Sequence, residues 1–67
     1  MSYKEIKSEL DLPPIGHRVL VESDNGEVVI SQLKTDEDGC PYFLDDDGSV
    51  WEISIVTSWA EIPKREI

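Results

Sequence analysis

The stretch RVLVESDNGEVVISQLK, residues 18–34, decides the fold of this chain. From Arg18 to Ser23 the period changes to two residues, with β-branched Val19 and Val21 on one side, which reads as a strand. Asp24-Asn25-Gly26 interrupts the pattern, and Glu27 to Lys34 resumes it as a second strand. Asn25-Gly26 predicts a two-residue hairpin of type I′, in which both central residues take positive φ. In the second strand Val28 and Ile30 are apolar on one side and Val29 and Leu33 on the other. Both faces of the sheet are therefore expected to be partly covered.

Downstream the same grammar repeats. TDEDGCP, residues 35–41, is a loop with Gly39 available for a left-handed position, and YFL, residues 42–44, is a short third strand. DDDG turns the chain again at residues 45–48, and SVWEISIV, residues 49–56, returns as a fourth strand. TSWAEIP, residues 57–63, adds a bend or a short fifth strand. Alternation puts Trp51, Ile53 and Ile55 on the core side of the fourth strand and Val50, Glu52 and Ser54 on the other.

Upstream, residues 2–10 read as a short helix. Ser2 caps it, Glu5 completes a capping box, and Tyr3, Ile6 and Leu10 share one face, until Pro13-Pro14 end it. About two turns do not hold alone, so the alternative is an extended arm. The expected fold is mostly β, or α+β: a small, strongly bent antiparallel meander of four to five strands. As a single domain it comprises an N-terminal helix or arm at 1–12, the meander at 17–62 and a polar tail at 63–67.

Composition narrows the functional classes. The chain has 67 residues, and at that length only about 60% of the unfolded surface is buried, so oligomerisation is one route to stability. With 15 acidic and 6 basic residues the net charge is −9. Between Thr35 and Pro63 there is no Lys or Arg, yet Asp36, Glu37, Asp38, Asp45, Asp46, Asp47, Glu52 and Glu61 all fall there. Direct binding to nucleic acid or to anionic membranes needs the opposite charge and is disfavoured, whereas a basic protein partner is favoured. The single cysteine, Cys40, allows no intrachain disulfide, and neither a signal-peptide core nor a membrane-length apolar run is present. A soluble, cytoplasmic protein is expected.

No catalytic or metal constellation assembles. An EF-hand needs an oxygen ligand at loop position 1 and glycine at position 6. Aligning Gly48, Gly39 or Gly26 to position 6 puts Phe43, Lys34 or Val21 at position 1. His17 has no metal-binding or nucleophile context, Cys40 has no CxxC partner, and the four glycines are isolated. No cofactor is expected. The residues expected to bind a partner are Asp36, Glu37, Asp38, Asp45, Asp46, Asp47, Glu52 and Trp59, the last as an aromatic anchor.

LPPIGHRVLVESDNGEVVIS and VTSWAEIP together resemble a family of short domains common in bacteriophages and prophages. The elements that carry the resemblance are Leu12-Pro13, Gly16, Val19-Leu20-Val21, Val56-Thr57, Trp59 and Ile62-Pro63, covering roughly residues 12 to 63. The usual tryptophan near the N-terminal edge is absent here. The resemblance implies a phage or prophage origin and a small β-rich fold, and the family has no established activity to carry over. The combined expectation is a non-enzymatic acidic protein that engages a basic host protein, such as a defence nuclease or another nucleic-acid-binding machine, in place of phosphate. The alternatives are a homo-oligomeric accessory module, a homodimer in its simplest form, and a small-ligand-binding protein.

Overall fold

Alternation in the two strands that open the meander is realised side chain by side chain. Val19, Val21 and Ser23 point inward from β2 (Arg18–Ser23), and Ser31 and Leu33 point inward from β3 (Val28–Thr35). The computed structural model describes residues 3–63; Ser2, the expected helix cap, and residues 64–67 of the expected tail lie outside the described residues. The remaining strands are β1 (Lys4–Glu5), β4 (Pro41–Asp45), β5 (Val50–Glu52) and β6 (Val56–Glu61). All pair antiparallel in one open sheet of order β1-β6-β2-β3-β4-β5. The strands β2 to β5 form the expected meander, but β6 returns beside β2 and β1 adds to its outer edge. Six strands therefore replace the expected four to five.

The N-terminal helix does not form. In its place stand β1 and a single 3₁₀ turn at Glu9–Asp11, capped by Ser8 and Asp11. The extended-arm alternative describes this segment better. Pairing with β6, including the Ile6 N–H to Thr57 carbonyl bond at 2.9 Å, satisfies backbone groups that a short isolated helix holds poorly. Leu10, assigned to an apolar helical face, is 91% exposed.

The expected fourth strand also ends early. After Glu52 a 3₁₀ turn at Ile53–Ile55 carries the chain from the β4 edge to the far side of β2. The Asp24 N–H donates to the Ile55 carbonyl at 2.8 Å and fixes this crossing. A bulge opposite Glu22 and Ser23 then inserts Thr57 as an extra residue, because Glu22 pairs with Ser58 and Ser23 with Val56. The inserted residue lets both Val56 and Trp59 face the core despite their odd spacing.

Val19, Val21, Leu33, Phe43 and Val56 form the buried cluster, with Ile6, Leu12, Val29, Trp51, Ile53, Ile55 and Trp59 packed against it. So small a core needs its half-buried rim. Phe43 alone, fully buried at the centre of β4, contributes about 3 kcal/mol of apolar burial. One polar atom breaks the pattern: the Ser31 hydroxyl is fully buried and has no hydrogen-bond partner among the described residues.

All three hairpins use the same connection, and it is not type I′. At each one a glycine N–H closes on the carbonyl three residues back: Gly26 on Ser23, Gly39 on Asp36 and Gly48 on Asp45, each at 3.0 Å. Only the glycine has positive φ, between 82° and 88°, and no described non-glycine residue does. Asn25 therefore stays right-handed, and Gly26 supplies a bulge in a three-residue loop. The Asn25 side chain accounts for the difference: its Oδ1 accepts from the Glu27 N–H at 3.1 Å and from the Ser23 hydroxyl, bonds that hold this loop form.

Candidate functional site: two acidic turns on one strand

The acidic residues at 36–38 and 45–47 occupy the hairpin turns at opposite ends of β4. Thr35 pairs with Pro41 at one end, and Ser31 pairs with Asp45 at the other. Because β4 spans five residues rather than three, the turns stand about 15 Å apart, not the roughly 10 Å implied by a YFL strand. The six carboxylates make two separate patches rather than one rim. Asp24 and Glu27, which charge counting over 35–63 misses, lie in the β2–β3 turn at the same end of the sheet as Asp45–Asp47. The DNG signal at 24–26 contains Asp24 and is followed directly by Glu27.

Within each turn the leading aspartate serves the backbone. Asp36 Oδ1 accepts from the N–H groups of Asp38 and Cys40, both at 2.9 Å. Asp45 Oδ1 accepts from those of Asp47 and Ser49, also at 2.9 Å. Asp45 goes further, since its Oδ2 accepts from the Trp51 indole N–H at 2.9 Å. That indole bond first, and the Ser49 N–H second, hold the Asp45 carboxyl below its ordinary carboxylate range, with partial desolvation opposing them.

The charges presented outward are thus Glu37, Asp38, Asp46 and Asp47, all exposed. Of these, Asp46 ion-pairs with Arg18, whose guanidinium reaches across from β2. Glu52 is exposed on the outer sheet face, opposite Tyr42. Trp59 is half-buried and its indole N–H donates to the Asp11 carbonyl at 2.6 Å, so this side chain fastens the N-terminal arm to β6. His17 pairs with Glu61 at 2.9 Å, and Cys40 is an exposed free thiol in the β3–β4 turn.

A second feature had no sequence signal. Between the arm and the start of β6 lies a cleft of about 580 Å³, with Ile6, Leu12, Pro41, Ile53 and Val56 as apolar lining. A neighbouring hollow of about 380 Å³ shares Glu9, Leu12 and Pro41 with it and extends to Ile15 and Gly39. Only the tertiary placement of the arm creates these spaces, because their walls come from residues about 50 apart in the chain.

Among the described residues no group of three or more His, Cys, Asp or Glu side chains is arranged to hold a metal ion. No described helix is long and apolar enough to cross a membrane. Compared with protein-family models, curated proteins and solved structures, the chain finds no significant match.

Proposed function

We propose that this is a non-enzymatic, phage-associated interaction protein that engages a basic surface on a host protein in the bacterial cytoplasm. The observation that carries the reading is the mounting of the outward carboxylates. Glu37, Asp38 and Asp47 extend from turns whose backbone is held by a leading aspartate and a glycine, with no cation within ion-pair distance among the described residues. Charge held on a rigid frame loses little conformational freedom when it meets a partner. Two patches about 15 Å apart suit a basic groove that otherwise follows a phosphate backbone, such as that of a defence nuclease. The protein then acts as an inhibitor that stands in for nucleic acid.

The test neutralises the outward carboxylates, including the Arg18-paired Asp46: Glu37→Gln, Asp38→Asn, Asp46→Asn and Asp47→Asn together, with Asp36 and Asp45 left to hold the turns. Affinity capture from host extract is run with the wild type and this variant, and each bound protein is challenged with salt and duplex DNA. A partner retained by the wild type, lost by the variant and released by DNA supports the reading. Equal capture by both proteins, insensitive to salt, overturns it.

A second reading is favoured by the outer face of the sheet. Leu20 pairs with both Ala60 and Ile30, while Leu44 pairs with Val50, which is 64% exposed. These two apolar patches, set apart because Leu44 lies opposite Gln32 and Gln32 opposite Arg18, fit a homo-oligomeric module in which a second subunit covers them. Sedimentation decides this: a monomer at micromolar concentration removes that alternative.

A further inference from the structure

We infer that the groove beside the N-terminal arm is a docking site for an extended, cationic segment of a partner protein. The inference rests on the acidic-interaction reading and names where the partner's chain would lie. Two adjoining hollows, of about 580 and 380 Å³, meet at Glu9, Leu12 and Pro41 and lie side by side along the groove. Its floor is apolar, from Ile6, Leu12, Ile53 and Val56, and Ile15 at its far end is 65% exposed. Each hollow falls within or near the size range of sites that take a few side chains. A groove of this shape suits a chain segment, which can seat one side chain in each hollow.

Charge selects the occupant. The wall formed by Thr35, Gly39, Pro41, Ser54 and Thr57 belongs to the stretch without a Lys or Arg, next to the Asp36–Asp38 turn. On the opposite wall Glu5 and Lys7 offset each other at 3.8 Å, which leaves Glu9 as the lining carboxylate without a cation at ion-pair distance among the described residues. A second copy of this chain brings −9 of like charge and is disfavoured. A segment with apolar side chains at intervals and Lys or Arg between them satisfies both floor and rim.

The probe is a capped hexapeptide alternating lysine and leucine, titrated into ¹⁵N-labelled full-length protein. Two comparison peptides replace lysine by glutamate, or leucine by serine. The expected result is amide shifts at Ile6, Glu9, Leu12, Gly39, Ser54 and Thr57 with the lysine–leucine peptide only. Binding should weaken about tenfold in roughly 0.5 M salt and about tenfold in Glu9→Lys. Ser54→Arg, an exposed rim position, should block the groove while leaving the rest of the spectrum in place. Shifts confined to Asp46–Asp47, or equal binding of the lysine–serine peptide, overturn the groove while leaving the acidic-face reading intact. Equal binding of the glutamate–leucine peptide overturns both. Absence of binding at millimolar peptide, or concentration-dependent groove shifts without any peptide, also overturns the proposal.

Discussion

The turns at the two ends of β4 share a sequence pattern, Asp-x-Asp-Gly, and a backbone, yet differ in what they are tied to. Among the described residues, Asp36–Gly39 is held by its own atoms and its next neighbour: the Asp36 carboxylate, the Gly39 N–H and the Cys40 backbone. Asp45–Gly48 adds three links beyond itself: the Trp51 indole on Asp45, the Arg18 guanidinium on Asp46, and the Asp46 N–H donating to the Ile30 carbonyl at 3.3 Å. Identical local chemistry thus yields one self-contained turn and one joined to the core through a half-buried tryptophan. An acidic residue in a charge run can be a structural acceptor, and only its neighbours in space distinguish it from a displayed charge.

Substitution at the leading aspartates should separate the turns most. Asp45→Ala removes the acceptor of three hydrogen bonds and Asp36→Ala the acceptor of two, so the first lowers the denaturant midpoint more. In a Trp51→Phe background the gap should close, which a double-mutant cycle measures. A gap that persists there means that the indole bond is not what distinguishes the turns.

Glycine replacement should show the opposite, equal costs. Gly39 and Gly48 have φ of 82° and 87°, and a Cβ added at either meets nothing within 4 Å. Gly39→Ala and Gly48→Ala therefore pay the left-handed backbone penalty alone, about 1–2 kcal/mol each by chemical unfolding. Costs that differ severalfold would show that the two backbones are not equivalent.

Acid should act on one turn before the other. The Asp45 carboxyl is held below its usual range in the folded protein, so the unfolded chain binds its proton at higher pH. Its contribution is complete above the unfolded pKa of about 4 and is lost as pH falls through the lower folded value. Asp45→Asn should flatten that part of the stability–pH curve below about pH 4, with Trp51 fluorescence reporting the loosened contact. An unchanged acid limb in Asp45→Asn refutes the link.

The smallest effect is expected at Arg18. Its pair with Asp46 is solvent-exposed on both sides, so Arg18→Ala should change stability by no more than about 1 kcal/mol. It does free Asp46, and binding of a cationic peptide at that end of the sheet should strengthen. A comparable gain at the Asp36–Asp38 turn in the same variant would mean that charge acts globally and not turn by turn.

Much of this was legible in the residues. The expected strands at 18–23 and 27–34 lie within a residue of β2 and β3, and YFL lies inside β4. The loop glycines mark all three hairpin turns, and Trp51 packs toward the core as its alternation implies. These features are legible because a two-residue period and a glycine at positive φ depend on the chain within a few residues. The turn type at Asn25-Gly26 was misread because the side-chain acceptance by Asn25 selects among loops that share one sequence signal. Tyr3, Ile6 and Leu10 fall at helical spacing, but Ile6 alone packs on the core, from an arm bound to β6.

The sequence by itself determined a β-rich chain with glycine turns, a small apolar core and an acidic stretch from Thr35 to Pro63. Tertiary structure alone decided that the acidic turns lie apart at the two ends of β4, that Asp45 belongs to the frame, and that an apolar groove borders the arm. The physical reason is range. Alternation and turn chemistry act between neighbours, whereas the pairing of Lys4 with Trp59, or of Val19 with Glu61, joins residues more than 40 positions apart. Those pairings place the arm, Trp59 and β6, and with them the groove beside the arm.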